Sequence, residues 1–140
     1  MNNLIIKRSQ LVRAQITGTP AVGNKYYFTE VPNISRLNCL IYGFEIFTAD
    51  QLAITPQNET VIPSSANDQV TITWRDNNKI EYIYQMPIYT AIRSLNGGFI
   101  VLLKPRIINL TDSYIQLTST AGISSNQVVA ANIYYDIVGE

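Results

Sequence analysis

Apolar and polar residues alternate with a period of two through most of this chain. Val12, Ala14 and Ile16 alternate with Arg13, Gln15 and Thr17, which predicts a strand over residues 10–17 with one buried face. The clearest stretch is residues 68–85, DQVTITWRDNNKIEYIYQ. Val70, Ile72 and Trp74 share one phase, and Thr71, Thr73 and Arg75 share the other. Asp76-Asn77-Asn78 supplies turn residues that tolerate positive φ. Ile80, Tyr82 and Tyr84 follow, opposed by Glu81, Ile83 and Gln85. The pattern predicts a β-hairpin with an apolar face on a core, a polar face towards water and an exposed tip at Asp76–Asn78.

The same reading extends in both directions. Residues 26–31 form a short β-prone run closed by Pro32-Asn33. In residues 34–47, Leu40, Tyr42, Phe44 and Ile46 fall on one face, and Ile41, Gly43, Glu45 and Phe47 on the other. Both faces are largely apolar, as in a central strand, and Gly43 inside it points to a bulge or a close backbone approach. Residues 48–67 read as a long connection with short strands near 52–54 and 60–62. Pro87 opens the one helical period: Ile88, Ala91, Ile92 and Leu95 fall at i, i+3, i+4 and i+7, and Asn96-Gly97-Gly98 follows as a stop. A short helix near 88–95 is expected. Residues 99–104 form an apolar strand ended by Pro105, residues 112–119 another, and residues 121–126 a polar loop. Val129, Ala131, Ile133, Tyr135 and Ile137 form an unbroken apolar face in a last strand over 127–138. About eight to ten strands with one short helix indicate an all-β fold, an antiparallel β-sandwich of jelly-roll type. Strands near the two termini would then lie side by side inside one sheet. Residues 1–9 form an N-terminal arm or an edge strand.

Length and charge sharpen this picture. At 140 residues the chain makes one domain with a core that needs no staples. Charged residues are only 14% of it, well below the usual ~25%. Polarity comes instead from Asn, Thr, Ser and Gln, with 9 Tyr. Such surfaces can be buried against a neighbour without desolvating ions. The formal net charge is zero, so no global attraction to nucleic acid or membrane follows. The cations Lys7, Arg8, Arg13 and Lys25 precede the first acid, Glu30. Of these, Lys7, Arg8 and Arg13 are candidate contacts to adjacent subunits. The single cysteine, Cys39, excludes an intramolecular disulfide and suits a reducing compartment. No secretory signal pattern is visible and no apolar run approaches the ~20 residues of a membrane-spanning helix. Synthesis in the cytoplasm is therefore expected.

The absent chemistry is as informative. With no His and one Cys, the usual Ser-His-Asp and Cys-His nucleophiles and the common zinc ligand sets lack their components. No phosphate-loop, dinucleotide or EF-hand spacing occurs. No cofactor or metal is expected, and no enzyme activity. Glu45 and Glu81 sit in strands among apolar neighbours and are formally a carboxylate pair for glycoside chemistry. Strand carboxylates more often face solvent or pair across strands. Tyr26-Tyr27 and Tyr134-Tyr135 each place one ring on each face of a strand, with Tyr27 and Tyr134 as the candidate contacts. Asn33, Asn58 and Asn109 match the glycosylation acceptor pattern, at a frequency expected by chance in so Asn-rich a chain.

The segment PIYTAIRSLNGGFIVLLKPRIINLTDSYIQL joins a short helix, an apolar strand, a KPR corner and a DSYI strand. Together with the terminal QVVAANIYYDIV it resembles single jelly-roll capsid subunits of icosahedral viruses, especially the small vertex (penton) proteins of tailless bacteriophages. The resemblance is one of layout and covers most of the chain. It implies a structural virion protein whose partners are like subunits and other virion proteins. Many capsid proteins carry a strongly basic arm that is missing here, so direct genome binding is not expected. The alternative is a small β-sandwich that binds carbohydrate or a receptor, on a phage fibre or a cell surface.

Overall fold

The computed structural model describes residues 8–29, 39–49, 60–66, 68–91 and 101–137. They form an all-β sandwich of two packed antiparallel sheets. The strands are β1 (Arg8–Gln15), β2 (Lys25–Tyr27), β3 (Cys39–Phe47), β4 (Thr60–Val61), β5 (Val70–Arg75), β6 (Glu81–Pro87), β7 (Val101–Ile107), β8 (Tyr114–Leu117) and β9 (Gln127–Ile137). The first sheet runs β1-β9-β3-β7 and the second β2-β8-β5-β6. The two-residue β4 adds to β9 in parallel at Gln127 and Val128. Without β4, the pairings nest. β1 pairs with β9, β2 with β8, β3 with β7 and β5 with β6, all antiparallel. The described strands thus pair in a nested order about the β5–β6 hairpin. Contacts of β9 with β3 and of β8 with β5 stitch the nested pairs into the two sheets.

The alternation read from the sequence builds the core. Val12, Ala14 and Ile16 from β1 and its end meet Val129, Ala131 and Ile133 from β9, and Val70, Ile72 and Trp74 close over them from the other sheet. Trp74 is the keystone. Its ring stacks on Phe28 at 5.2 Å and meets Phe44 of β3 edge-on at 5.1 Å. Its indole N–H is buried without an acceptor among the described residues.

The bulge expected near Gly43 is present and changes which residues face inward. Ile41 pairs with Tyr135 but Gly43 pairs with Tyr134, so Tyr42 is an extra residue in β3. Cys39 and Ile41 face the core before it, and Phe44 and Ile46 after it. Leu40 and Tyr42 are therefore not on the face of Phe44 and Ile46, as strict alternation predicts. A bulge resets the phase of a strand by one residue.

Other departures have equally local causes. Thr71 and Thr73 do not face water: both are buried, because β5 lies between β6 and β8 and those strands' side chains cover its outer face. Thr73 Oγ1 accepts the Gln85 N–H at 3.0 Å, where Gln85 adopts φ 51°. The hairpin turn takes its positive φ at Lys79 (62°), not at Asn77 or Asn78. Pro87 ends β6, and Ile88–Ala91 form a 3-10 turn; the rest of the expected helix lies outside the described residues. Pro105 does not end β7 but lies within it. This is tolerated because β7 is an edge strand among the described strands, and an edge strand's outer side needs no N–H donor. β9 is interior as expected, whereas β1 is an edge among the described strands. Arg8 and Ser9 belong to that edge strand. The short strand expected near 52–54 and residues 1–7 lie outside the described residues.

Two predictions arise here. Asp76 organises the hairpin turn: its Oδ1 accepts the N–H of Asn78 at 2.8 Å and of Ile80 at 3.0 Å. Asp76→Ala should cost about 1–2 kcal/mol, the worth of a lost capping carboxylate, read as a lower urea midpoint at unchanged m-value. Cys39 is buried, and burial pushes its thiol from 9.0 up to about 12. The folded state therefore holds this proton more tightly than the unfolded chain. The stability this gives is fully present below about pH 9 and is lost as pH rises through about 12. At pH 8 a thiol reagent should label only unfolded molecules, so labelling should track the urea unfolding curve; rapid labelling of native protein would contradict the burial.

Candidate functional site

The five residues singled out from the sequence do not converge. Lys7 lies outside the described residues. Arg8 is placed on β1 opposite Tyr135. Arg13 is on the outer face of the first sheet, where its Nη1 donates to Thr29 Oγ1 at 3.0 Å. Tyr134 lies on that same face, four residues further along β9 than Arg13's partner Ala130. Its hydroxyl donates to Glu45 Oε2 at 2.6 Å. Tyr27 is on the outer face of the opposite sheet and is 43% exposed. The expected one-in, one-out arrangement of both Tyr pairs holds: Tyr26 and Tyr135 are in the core.

The two carboxylates are also kept apart. Glu45 is 3% exposed on the outer face of the first sheet, held by Tyr134 and by Asn132 Nδ2 at 3.4 Å. Glu81 is on β6 in the second sheet and forms an ion pair with Arg75 at 3.1 Å. They belong to different layers and cannot flank one bond. The Asn109 acceptor match is likewise structural. Asn109 is buried, its Oδ1 accepts from the Thr111 N–H and hydroxyl, and its Nδ2 donates to Asp112.

Two surface features remain. The first is an apolar rim at the β6 edge. Ile80 and Tyr84 are 60% exposed and Tyr89, in the 3-10 turn after β6, is 52% exposed. Ile107, at the end of the other edge strand β7, lines a hollow of about 290 Å³ with Asp76, Asn77 and Asn78. Strict alternation assigns Ile80, Tyr82 and Tyr84 to the core side. The pairing of β5 with β6 shifts register twice, between Ile72 and Trp74 and between Trp74 and Arg75, so β6 carries extra residues and turns some of its apolar side chains outward. The available signal was composition: a hairpin strand with Tyr and Ile in both phases has more apolar side chains than one core face can take.

The second feature is the outer face of the second sheet. Tyr27 and Tyr114 are cross-strand partners and their rings meet at 62°, centroids 5.5 Å apart. Tyr114 is buried although it faces away from the core. Lys25 Nζ lies 4.8 Å and Arg75 Cζ 4.9 Å from its ring centroid, both within cation–π range. Beyond Lys25 and Tyr27, at the β1–β2 edge, is a second hollow of about 300 Å³. Among the described residues no helix is long and apolar enough to cross a membrane. A scan against protein-family models finds no match, and searches of curated proteins and of solved structures likewise return none.

Proposed function

We propose that this chain is a structural virion protein, a jelly-roll capsid or vertex subunit that assembles with like subunits. The observation that carries the reading is the nested strand pairing. Eight strands ordered β1-β9-β3-β7 over β2-β8-β5-β6 support reading the sandwich as a jelly roll, a long hairpin rolled into two sheets. That design serves viral shells, lectins and cupins. A chain without His lacks the usual metal ligands of the third group. The charge-poor composition and the apolar rim favour the first. Exposed Ile80 before β6, Tyr84 within it and Tyr89 in the turn after it supply surface that costs little to desolvate and the aromatic anchors typical of interfaces. The double register shift in β6 blunts open-ended strand pairing, so in this reading contact through this rim is made by side chains, and like subunits close into a ring. In this reading the chain is synthesised in the host cytoplasm and acts in the virion.

The rim is tested by substitution. Ile80→Asp with Tyr84→Asp should leave the melting temperature within a few degrees of the parent, because both side chains are exposed. It should reduce the assembled species to the 15.7 kDa monomer. Assembly that survives both charges would exclude this rim as the contact.

A further inference from the structure

We propose that the hollow at the β1–β2 edge binds a single carboxylate-bearing sugar ring, a uronic or sialic acid unit. It is an open hollow of about 300 Å³ lined by Gln15, Thr17, Lys25, Tyr26, Tyr27 and Thr29. That volume is at the small end of ligand sites and accommodates one hexose-sized ring. The lining has the components such a ring needs. Tyr27 offers an exposed aromatic side chain, and Gln15, Thr17 and Thr29 offer neutral hydrogen-bonding groups. Among the described residues Lys25 is the one cation of the lining, and no acid lines the hollow. Lys25 forms no ion pair among the described residues; its ammonium rests over the Tyr114 ring, and a carboxylate in the hollow would draw it across from that ring.

The side chains are held in place from outside the hollow. Gln15 Nε2 donates to Asn126 Oδ1 at 3.3 Å, the Tyr26 hydroxyl accepts from Asn24 Nδ2 at 3.1 Å, and Thr29 Oγ1 accepts from Arg13. Tyr27 is fixed edge-on against Tyr114. A site whose groups are already ordered pays less entropy on binding, which matters most for weakly bound, well-hydrated sugars. The hollow is on the edge opposite β6 in the second sheet, so occupancy does not depend on assembly through the apolar rim.

The test is an NMR titration of the full chain with methyl β-glucuronide, methyl β-glucoside, acetate and inorganic phosphate. Saturable shifts confined to the hollow are expected with the glucuronide at millimolar concentration, and at least fivefold weaker binding of the glucoside. Lys25→Gln should remove that preference. Tyr27→Ala should abolish binding, and Thr17→Trp, which fills the hollow from an exposed position, should do the same in a protein with unchanged melting. Three results would overturn the proposal: no shifts at the hollow, acetate or phosphate binding as well as the glucuronide, or binding that survives Thr17→Trp. The rim variant Ile80→Asp/Tyr84→Asp should bind normally, which separates failure of this site from failure of the assembly reading.

Discussion

Trp74→Ala is expected to destabilise the fold by about 3–5 kcal/mol, the range for removing a fully buried large aromatic. Trp74 belongs to β5 in the second sheet, while its edge-on partner Phe44 belongs to β3 in the first. Phe28, stacked on its other side, lies just beyond β2. One truncation therefore opens a void where the two sheets meet and strips contact from two further rings. Against a typical net stability of about 5–15 kcal/mol this is a large share, read as a melting temperature lower by roughly 10–20 °C. Trp74→Phe should cost about half as much or less. It leaves a smaller void, and it removes an indole N–H that is buried without an acceptor among the described residues, a donor whose desolvation works against the folded state. Urea denaturation followed by far-UV circular dichroism measures both variants. Equal losses for Ala and Phe would show that ring packing is not what Trp74 contributes.

Tyr114→Ala should be nearly as damaging, about 3–4 kcal/mol, although Tyr114 points away from the core. Its ring is covered by Lys25 and Arg75 and abutted by Tyr27. Each cation over the ring contributes about 0.5–2 kcal/mol, and the rest is the lost packing of a buried side chain. Tyr114→Phe keeps the ring face and should cost less than about 1 kcal/mol. The interaction is separable by a double-mutant cycle. Lys25→Gln should destabilise the wild-type protein by about 0.5–1 kcal/mol and the Tyr114→Ala variant by nearly nothing. Additive losses would mean that the stacked geometry carries no energy.

Much of this arrangement is legible in the sequence, because alternation is a local property. Val12, Ala14 and Ile16 on β1 and Val129, Ala131, Ile133 and Tyr135 on β9 are inward as their spacing requires. The hairpin from β5 to β6 has its turn where Asp76-Asn77-Asn78 stands. Alternation fails where an added residue resets it. Gly43 marks the bulge, but only the pairing with β9 reveals that Tyr42 is the extra residue. In β6 no Gly or Pro announces the two shifts, and the exposed positions of Ile80 and Tyr84 follow from cross-strand register alone.

The candidate sites were less legible, for a related reason. Tyr27 and Lys25 are notable in sequence only as an aromatic and a cation. Their partners Tyr114 and Arg75 come from β8 and β5, and proximity across strands so far apart in the chain has no local signature. Glu45 and Glu81 show the converse. Their similar settings suggest a pair, and the layer structure separates them.

Assembly is the central claim, and a concentration series by size-exclusion chromatography with light scattering tests it most directly. The wild-type chain should give a closed species whose mass is a fixed multiple of 15.7 kDa, stable on dilution into the low micromolar range and reduced to monomer by Ile80→Asp with Tyr84→Asp. A wild-type protein that stays strictly monomeric at several hundred micromolar would contradict the account.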